Sequence, residues 1–416
     1  MTATTAASAF PEIKVPAGLT FAGLVLGLVA GLSLQGTALM EPLLKYGGLA
    51  GTLWLRLLQL TILPLVVGLV YTGISKTLEA AGGGRLARRA VGTFFAVLLA
   101  SGTMAALLVP GLLALFPIPE RAAAALSGGA AQTGEVPGFA DVLLAMVPEN
   151  IFASAAAGAM LPIVLFVSVF AVAATRIAEA PRRQLALVFE GLAASMMVVV
   201  GWVLRLAPIG VFGLALPLAA SSGSDAIGAL AHYILIVSAA GLIVLLGGIA
   251  LALTLGGQRP GTFFPAMMPV FAVALSTQSS LASLPAMLAA TRRMGVREAT
   301  SDFVLPLAVA IFRATSPAMN MGVAIYAAYL TGTPLSPLLL GAGVLVAFLV
   351  SLSSVSLPGT LSFVISVGPI ANAMGVPIGP LALLVAVEML PDIMRTLGNV
   401  TMDVAATATV DRRSGN

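Results

Sequence analysis

Two apolar stretches of the chain are interrupted near their middle by short polar runs. Residues 276–285 read STQSSLASLP inside the apolar stretch 262–294, and residues 351–359 read SLSSVSLPG inside the stretch 336–371. The arms beside each run hold about 14 residues, fewer than the ~20 that a helix needs to cross the hydrocarbon core. Both stretches are therefore predicted to be re-entrant helical hairpins, because non-helical backbone at membrane depth must be buried in protein or line a cavity.

The composition of the chain excludes most soluble classes of protein. Of 416 residues, 59% are hydrophobic and only 9% are charged, against roughly 25% in ordinary soluble domains. A soluble globular protein, a disordered chain and a nucleic-acid binder are excluded. The 44 glycines and the long apolar runs favour packed membrane helices over a β-barrel. With no cysteine and a single histidine, His232, thiol chemistry and the usual histidine metal sites are excluded as well.

Apolar runs long enough to cross a bilayer recur along the chain, so we predict an all-α polytopic membrane protein. Eight transmembrane helices are expected near residues 17–36, 46–75, 90–117, 141–175, 186–219, 228–256, 301–331 and 377–410. The seventh is interrupted at residues 313–317, RATSP. Each predicted hairpin is followed by an apolar helix that contains polar residues. A hairpin–helix unit that occurs twice indicates inverted repeats; the alternative is that common helix breakers recur by chance.

Basic residues indicate the orientation in the membrane. One set of loops and the two terminal segments carry fourteen of them, whereas the opposite loops carry only Lys45 and Arg121. Under the positive-inside rule this asymmetry predicts a multi-pass protein of the inner (plasma) membrane with both termini in the cytoplasm. The first hairpin then enters from the cytoplasmic side and the second from outside. The fourteen are Lys14, Lys76, Arg85, Arg88, Arg89, Arg176, Arg182, Arg183, Arg259, Arg292, Arg293, Arg297, Arg412 and Arg413.

The last apolar stretch carries a polar stripe. At 100° per residue, its five polar members are predicted to lie within about 80° on one face of a single helix. Each charge costs at least ~2.5–3.5 kcal/mol at the bilayer centre, so the stripe must face protein or a watery cavity. A functional site is the favoured interpretation, and an ion-pair network that only packs helices is the alternative. The five are Glu388, Asp392, Arg395, Asn399 and Asp403.

The chemistry of the stripe suits a zwitterionic anion. Arg395 offers a planar fork for a carboxylate, and Asp392 can accept an ammonium group. Asp403 and Asn399 supply hard oxygen ligands for a small cation. Backbone amides at a hairpin tip can hold a second carboxylate. A ligand with two carboxylates and one ammonium group satisfies all of these groups.

The motifs of the chain, taken in order, resemble those of the glutamate-transporter family, the dicarboxylate/amino acid:cation symporters. Residues 395–403, RTLGNVTMD, are similar to the R-T-x-x-N-V-x-x-D signature of its last helix. Further similarities cover the two hairpin tips and two earlier helices, and the resemblance extends over roughly residues 15–411. The segments are Ser279-Ser280 with Leu284-Pro285, Leu357-Pro358-Gly359, residues 207–212 (APIGVF), and Leu63-Pro64-Leu65-Val66 with Gly73-Ile74-Ser75.

The resemblance implies an elevator-type homotrimer in a lipid bilayer. Its scaffold part would hold residues 15–75 and 141–219, and its moving transport part residues 87–117 and 228–411. The transported ligand would be a small acidic molecule, coupled to Na⁺, with H⁺ as the alternative ion. No other cofactor and no nucleic-acid partner are expected.

The resemblance also assigns roles to individual residues. Arg395 would bind the side-chain carboxylate of the substrate, and Asp392 its amino group. Asp403 would be a sodium ligand, and Asn399 would lie near both the ligand and a cation. The remaining substrate-binding positions would be Thr396 and the hairpin-tip residues Ser279, Ser280, Ser354 and Gly359.

Two departures from the family pattern concern the coupling ions. The family motif N-M-D-G-T should fall near residues 312–316, which here read FRATS, so an acidic ion ligand is missing and Arg313 has appeared. A later run, Asn320-Met321-Gly322, is similar to the motif only superficially. The first hairpin has Gln278 where many members have arginine. Arg313, Glu388 and Gln278 are therefore the candidates for residues that alter coupling.

The leading hypothesis is a secondary symporter for glutamate or aspartate, and two alternatives stay open. One is a C4-dicarboxylate symporter, which Asp392 disfavours because a second anion would repel a substrate without an ammonium group. The other is a non-transporting ligand sensor or anion channel on the same fold. An enzyme is not expected, because no nucleophile or metal cluster accompanies Glu388 and Asp392. His232 is expected to be a packed or interfacial residue rather than a proton relay.

Overall fold

The regular elements of the described residues are helices. The computed structural model describes residues 16–82, 84–118, 144, 146–222, 225–352 and 359–415. The helices are α1 Ala17–Ser33, α2 Met40–Ala81, α3 Arg85–Leu115, α4 Ile151–Ala156, α5 Met160–Ala174, α6 Glu179–Arg205, α7 Ala207–Ser222, α8 Asp225–Leu253, α9 Pro260–Thr277, α10 Leu284–Arg293, α11 Glu298–Ile311, α12 Thr315–Thr331, α13 Pro337–Leu352, α14 Gly359–Ala373, α15 Leu381–Leu384 and α16 Pro391–Gly415.

Six segments of this described part are long and apolar enough to cross a membrane. They are Met40–Ala81, Arg85–Leu115, Glu179–Arg205, Ile227–Leu253, Pro260–Thr277 and Glu298–Thr331. Helices α1, α5, α7 and α13 contain shorter apolar segments. The predicted all-α polytopic class is therefore supported. The count of eight spans, the re-entry of the hairpins and the inverted repeat stay predictions.

Several predicted helices are divided in the structure. The stretch 186–219 breaks at Leu206 into α6 and α7, and the described part of 141–175 breaks between α4 and α5. The last helix begins at Pro391, after a 3₁₀ turn over Val385–Val387. Proline is favoured in the first turn of a helix, where its missing N–H needs no partner. The prediction that Glu388 belongs to this helix was therefore wrong, because Glu388 lies before its start.

The interruption in the stretch 262–294 is a helix–turn–helix. Helix α9 ends at Thr277, and Gln278 adopts a left-handed backbone with φ 48°. Helix α10 starts at Leu284, and the two helices pack against each other. Helices α13 and α14 form a second packed pair, but residues 353–358, which join them, lie outside the described residues.

Glycines allow α1 and α7 to approach closely. Gly23, Gly27 and Gly31 recur at every fourth position of α1 and face the backbone of α7. A Cβ atom at Gly27 would lie 2.8 Å from the Phe212 carbonyl oxygen and 2.9 Å from the Ala215 Cβ atom. Small residues at this spacing are a common means of packing membrane helices, which cannot rely on a hydrophobic driving force.

Helix α16 is surrounded by other helices of the bundle. It packs against α3, α8, α9, α10, α11 and α12, while α1, α2, α6 and α7 pack largely among themselves. The polar stripe of α16 is consequently enclosed by protein.

We expect Gly27→Leu to separate α1 from α7 and to lower the thermal unfolding temperature of the purified protein in detergent. Overpacking of this kind typically costs ~1–3 kcal/mol. Gly18→Leu is the matched control, because a Cβ atom at Gly18 meets nothing within 4 Å. Equal effects of the two substitutions would contradict the packing role of Gly27.

Candidate functional site

Helix α16 brings four of the predicted site residues to one buried face. Asp392, Arg395, Asn399 and Asp403 follow one another at intervals of three or four residues, which places them on the same side of a helix. None is more than 5% exposed. Glu388 is fully buried one turn earlier, and its carbonyl oxygen accepts from the Asp392 N–H at 3.0 Å. The turn thus keeps the helical spacing, and the Glu388 side chain still reaches Arg395.

The Arg395 guanidinium is held by groups from three elements. Its Nη2 donates to Glu388 Oε1, and its Nη1 donates to Asn320 Oδ1 at 2.9 Å. Its Nε lies 3.3 Å from Asp392 Oδ1. Glu388 Oε2 in turn accepts from the Tyr233 hydroxyl at 3.0 Å. Arg395 therefore already has two carboxylate neighbours, one of which is anchored by a phenol.

Asn320 is a site residue that the sequence analysis set aside. It is fully buried on α12, and its Oδ1 is committed to Arg395. Its Nδ2 has no hydrogen-bond partner among the described residues. A buried amide donor without a partner costs ~1–3 kcal/mol. The available signal was an asparagine inside the apolar run of residues 318–328, where a polar group is expected to have a function.

The break between α11 and α12 is closed by Asn399. Its Oδ1 accepts from the backbone N–H of Thr315 at 3.0 Å and from the Thr315 hydroxyl at 2.8 Å. From the other side, the Ser101 hydroxyl donates to the Ala314 carbonyl oxygen at 2.5 Å. Asn399 thus caps the first turn of α12 and joins it to α16.

The predicted substrate-binding residue Thr396 bonds within its own helix. Its hydroxyl donates to the Asp392 carbonyl oxygen at 3.0 Å.

Arg313 and Asp403 are charged groups that lack direct ion pairs within the described part of the chain. Arg313 lies in the break before α12 and is 7% exposed. Its charge acts on Asp392 and on Asp403. Both carboxylate oxygens of Asp403 are buried and have no hydrogen-bond partner among the described residues. An isolated buried carboxylate is costly, so Asp403 needs either a cation beside it or a bound proton.

The first hairpin tip is ordered mainly by its own hydrogen bonds. Ser279 Oγ accepts from the Ala282 N–H at 3.2 Å, and the Ser279 carbonyl oxygen accepts from the Ser283 hydroxyl at 2.9 Å. Ser280 is buried. Gln278 and Ser279 are half-buried. Of the second tip, Ser354 lies outside the described residues and Gly359 is the first residue of α14.

His232 joins three helices rather than reaching the polar stripe directly. Its Nδ1 lies 3.1 Å from the Tyr326 hydroxyl, and its Nε2 lies 3.0 Å from the Phe116 carbonyl oxygen. The next residue, Tyr233, carries the hydroxyl that bonds to Glu388. Sequence analysis missed Tyr233, because a tyrosine in an apolar helix gives no sign of which polar group it meets.

Comparisons with known proteins agree on one family. The family model for the sodium:dicarboxylate symporter family matches residues 18–413. C4-dicarboxylate transport protein 1 of Pseudomonas aeruginosa is 26% identical over 397 residues, covering 94% of this chain and 86% of that protein. The proton/sodium-glutamate symport protein of Bacillus subtilis is 27% identical over 95% of this chain and 92% of its own. The proton/glutamate-aspartate symporter of Escherichia coli is 27% identical over 86% of this chain and 83% of its own.

Proposed function

The chain belongs to the sodium:dicarboxylate symporter family, and on that premise we propose that it carries glutamate or aspartate by cation-coupled symport with an elevator movement. The family and the relatives support the coarser statement that it is a multi-pass membrane symporter for a dicarboxylate or glutamate, coupled to Na⁺ or H⁺. These relatives are transporters, not enzymes.

The charge of the site favours an amino acid as substrate. Around α16, the guanidinium groups of Arg313 and Arg395 stand against three buried carboxylates, those of Glu388, Asp392 and Asp403. With all of them ionised, the site carries one excess negative charge. A substrate with an ammonium group can offset Asp392, whereas a C4-dicarboxylate adds two negative charges and no positive one. The proposed preference for an amino acid over a C4-dicarboxylate rests on this balance of charges.

We place the substrate against Arg395 and Asp392. The guanidinium binds the side-chain carboxylate, and Asp392 accepts from the ammonium group. Backbone amides of the tip at Ser279 and Ser280 bind the main-chain carboxylate. Ser354 and Gly359 belong to the second tip, which closes the site from the other side.

The packing of the helices supports the elevator. The group α1, α2, α6 and α7 is tied together by close glycine contacts, as a scaffold would be. The groups that hold Arg395 come from α12, α16 and the turn before α16, and so travel together. A transport part that contains all of them can move without breaking the site. The homotrimer and the cytoplasmic termini are part of the same proposal.

A C4-dicarboxylate symporter is the second candidate, because C4-dicarboxylate transport protein 1 is as similar to this chain as the glutamate symporters are. A sensor or channel on the same fold would not concentrate substrate. Uptake into proteoliposomes against a substrate gradient therefore distinguishes a symporter from a sensor or a channel.

We expect proteoliposomes with the purified protein to take up labelled aspartate or glutamate in preference to succinate. Arg395→Cys should weaken acidic-substrate binding by at least about tenfold, since a bond to a charged group contributes ~1.5–3 kcal/mol. Asp392→Asn should impair amino acids far more than succinate. Arg176→Cys and Asp302→Asn, both exposed, are the matched controls. Good succinate uptake with no aspartate uptake would establish the second candidate instead.

Asn320 completes the carboxylate site in this proposal. The bond from Arg395 Nη1 to its Oδ1 turns the amide so that Nδ2 is the free donor. Covalent geometry keeps that donor within a few ångströms of the guanidinium. A substrate carboxylate at Arg395 can therefore accept from Asn320 as well, and the orphaned N–H gains a partner only when substrate is bound.

Two substitutions test whether Asn320 touches substrate or only positions Arg395. Asn320→Asp keeps an acceptor for Arg395 but removes the donor, whereas Asn320→Leu removes both. We expect both variants to raise the KM for aspartate by about tenfold, because the loss of one hydrogen bond weakens binding by ~1–2 kcal/mol. Wild-type KM in Asn320→Asp together with a raised KM in Asn320→Leu would leave Asn320 a positioning role only.

Arg313 acts in this proposal as a tethered cation for Asp403. Its guanidinium is permanently charged and buried, and it interacts electrostatically with Asp392 most strongly and with Asp403 as well. A protein cation at this place removes the need for one bound ion. The alternative is that Arg313 only supports Asp392, in which case Asp403 still takes up a transported cation.

Reversal-potential measurements in proteoliposomes count the ions that move with each substrate. With a tethered cation, Arg313→Met should move one more cation per substrate than the wild type, because no fixed positive charge then offsets Asp403. Asp403→Asn in the Arg313→Met background should return the count to the wild-type value. Arg292→Met, in an exposed ion pair, is the control. The same ion count in wild type and Arg313→Met would reject the tethered cation.

A further inference from the structure

A groove lies between the start of α3, the end of α8 and the end of α16. Its volume is about 660 Å³, well within the ~300–1,000 Å³ of known small-molecule sites. Arg89 and Arg413 line one end, and Ala96, Val97, Leu251 and Leu255 line its walls. None of the residues assigned to substrate or coupling lines it.

The mouth of the groove concentrates positive charge. Arg89 Nη1 donates to the Arg413 carbonyl oxygen, which ties the start of α3 to the end of α16. Beside them, Arg412 Nη1 donates to the Thr254 carbonyl oxygen at 2.9 Å. The ion pairs found among the described residues include none of these three arginines. The neighbouring acid, Asp411, is engaged by Arg297 at 2.7 Å. Within the described part of the chain, the three guanidinium groups therefore have no carboxylate in an ion pair.

The walls of the groove suit a hydrocarbon chain. From Arg89 to Val97 the groove follows α3 for about 12 Å, at a rise of ~1.5 Å per residue. Leu255 is 49% exposed and Ala96 is exposed, so the groove opens to the surface of the bundle. Gly92 adds no side chain, and a Cβ atom there would meet nothing within 4 Å. In a membrane, an open apolar groove of this kind is accessible to lipid.

We propose that this groove binds an anionic phospholipid. The phosphate lies between Arg89 and Arg413, whose planar forks match phosphate oxygens, and one acyl chain lies along Val97, Leu251 and Leu255. Basic pockets between transmembrane helices bind anionic headgroups in this way on the cytoplasmic side. The arginines also mark this end of the bundle as cytoplasmic under the positive-inside rule. Because α3 and α16 both contribute, the lipid joins the start of α3 to the end of α16, the helix that carries the polar stripe.

The test compares lipids with the same acyl chains on the full-length protein in detergent. We expect dioleoyl phosphatidylglycerol to raise the thermal unfolding temperature more than dioleoyl phosphatidylcholine, and native mass spectrometry to retain the former. Arg89→Gln with Arg413→Gln should weaken phosphatidylglycerol binding at least threefold. Arg176→Gln with Arg183→Gln, which removes the same charge from two other exposed positions, should leave it unchanged.

Arg413→Gln alone keeps the proposal testable if the double variant does not fold, because the Arg413 side chain is exposed and it is its carbonyl oxygen that binds Arg89. Equal effects of the two lipids on the wild type would overturn the proposal. So would phosphatidylglycerol binding that survives in the arginine variants. An equal stabilisation by soluble glycerol 3-phosphate would assign the site to a free phosphate ester and reject the lipid.

Discussion

A guanidinium in the middle of a helix bundle must be neutralised where it stands, and the arrangement around Arg395 follows from that requirement. The side chain is 1% exposed and cannot lose its proton, so carboxylates must come to it. Asp392 comes from its own helix and Glu388 from the turn before it. Glu388 then needs a donor for its second oxygen, which Tyr233 supplies from α8. One charge thus fixes the relative positions of three segments.

The same requirement connects the site to the break between α11 and α12. Asn320 reaches Arg395 from the second turn of α12, so the start of that helix must be held close to α16. Asn399 holds it by capping Thr315, and the first residues of the helix leave Arg313 at the break. The Asn399 cap, the Asn320 contact and the position of Arg313 therefore depend on one another. A substitution in any of them should disturb the others, because residues in one network do not contribute independently.

Sequence patterns predicted the parts of the site that follow from regular spacing. The polar stripe of Asp392, Arg395, Asn399 and Asp403 needs only the helical repeat, and the turn at Gln278 needs only the weak helix preference of a Ser-rich run. Glu388 was placed on the wrong element because Pro391 starts a new helix, although proline in a first turn was the available signal. Tyr233 and Asn320 could not be assigned partners, because their roles depend on contacts between distant segments. The division of 186–219 at Leu206 has the same signal, because Pro208 lies in the first turn of α7.

The permanence of the two arginine charges limits how transport can be coupled in this chain. Arg313 and Arg395 keep their charges at every step, so any change in the charge of the site must occur at Glu388, Asp392 or Asp403, through a proton, a metal cation or the substrate ammonium group. Moving uncompensated charge through a membrane costs free energy. A site with substrate bound is therefore expected to be close to neutral when it moves. In the proposed function, a substrate with one net negative charge increases the demand for cations, and this gives a physical reason for substrate and coupling ion to bind together. Protons and sodium ions carry the same charge, but a proton bonds to one carboxylate oxygen, whereas a metal cation needs several oxygen ligands.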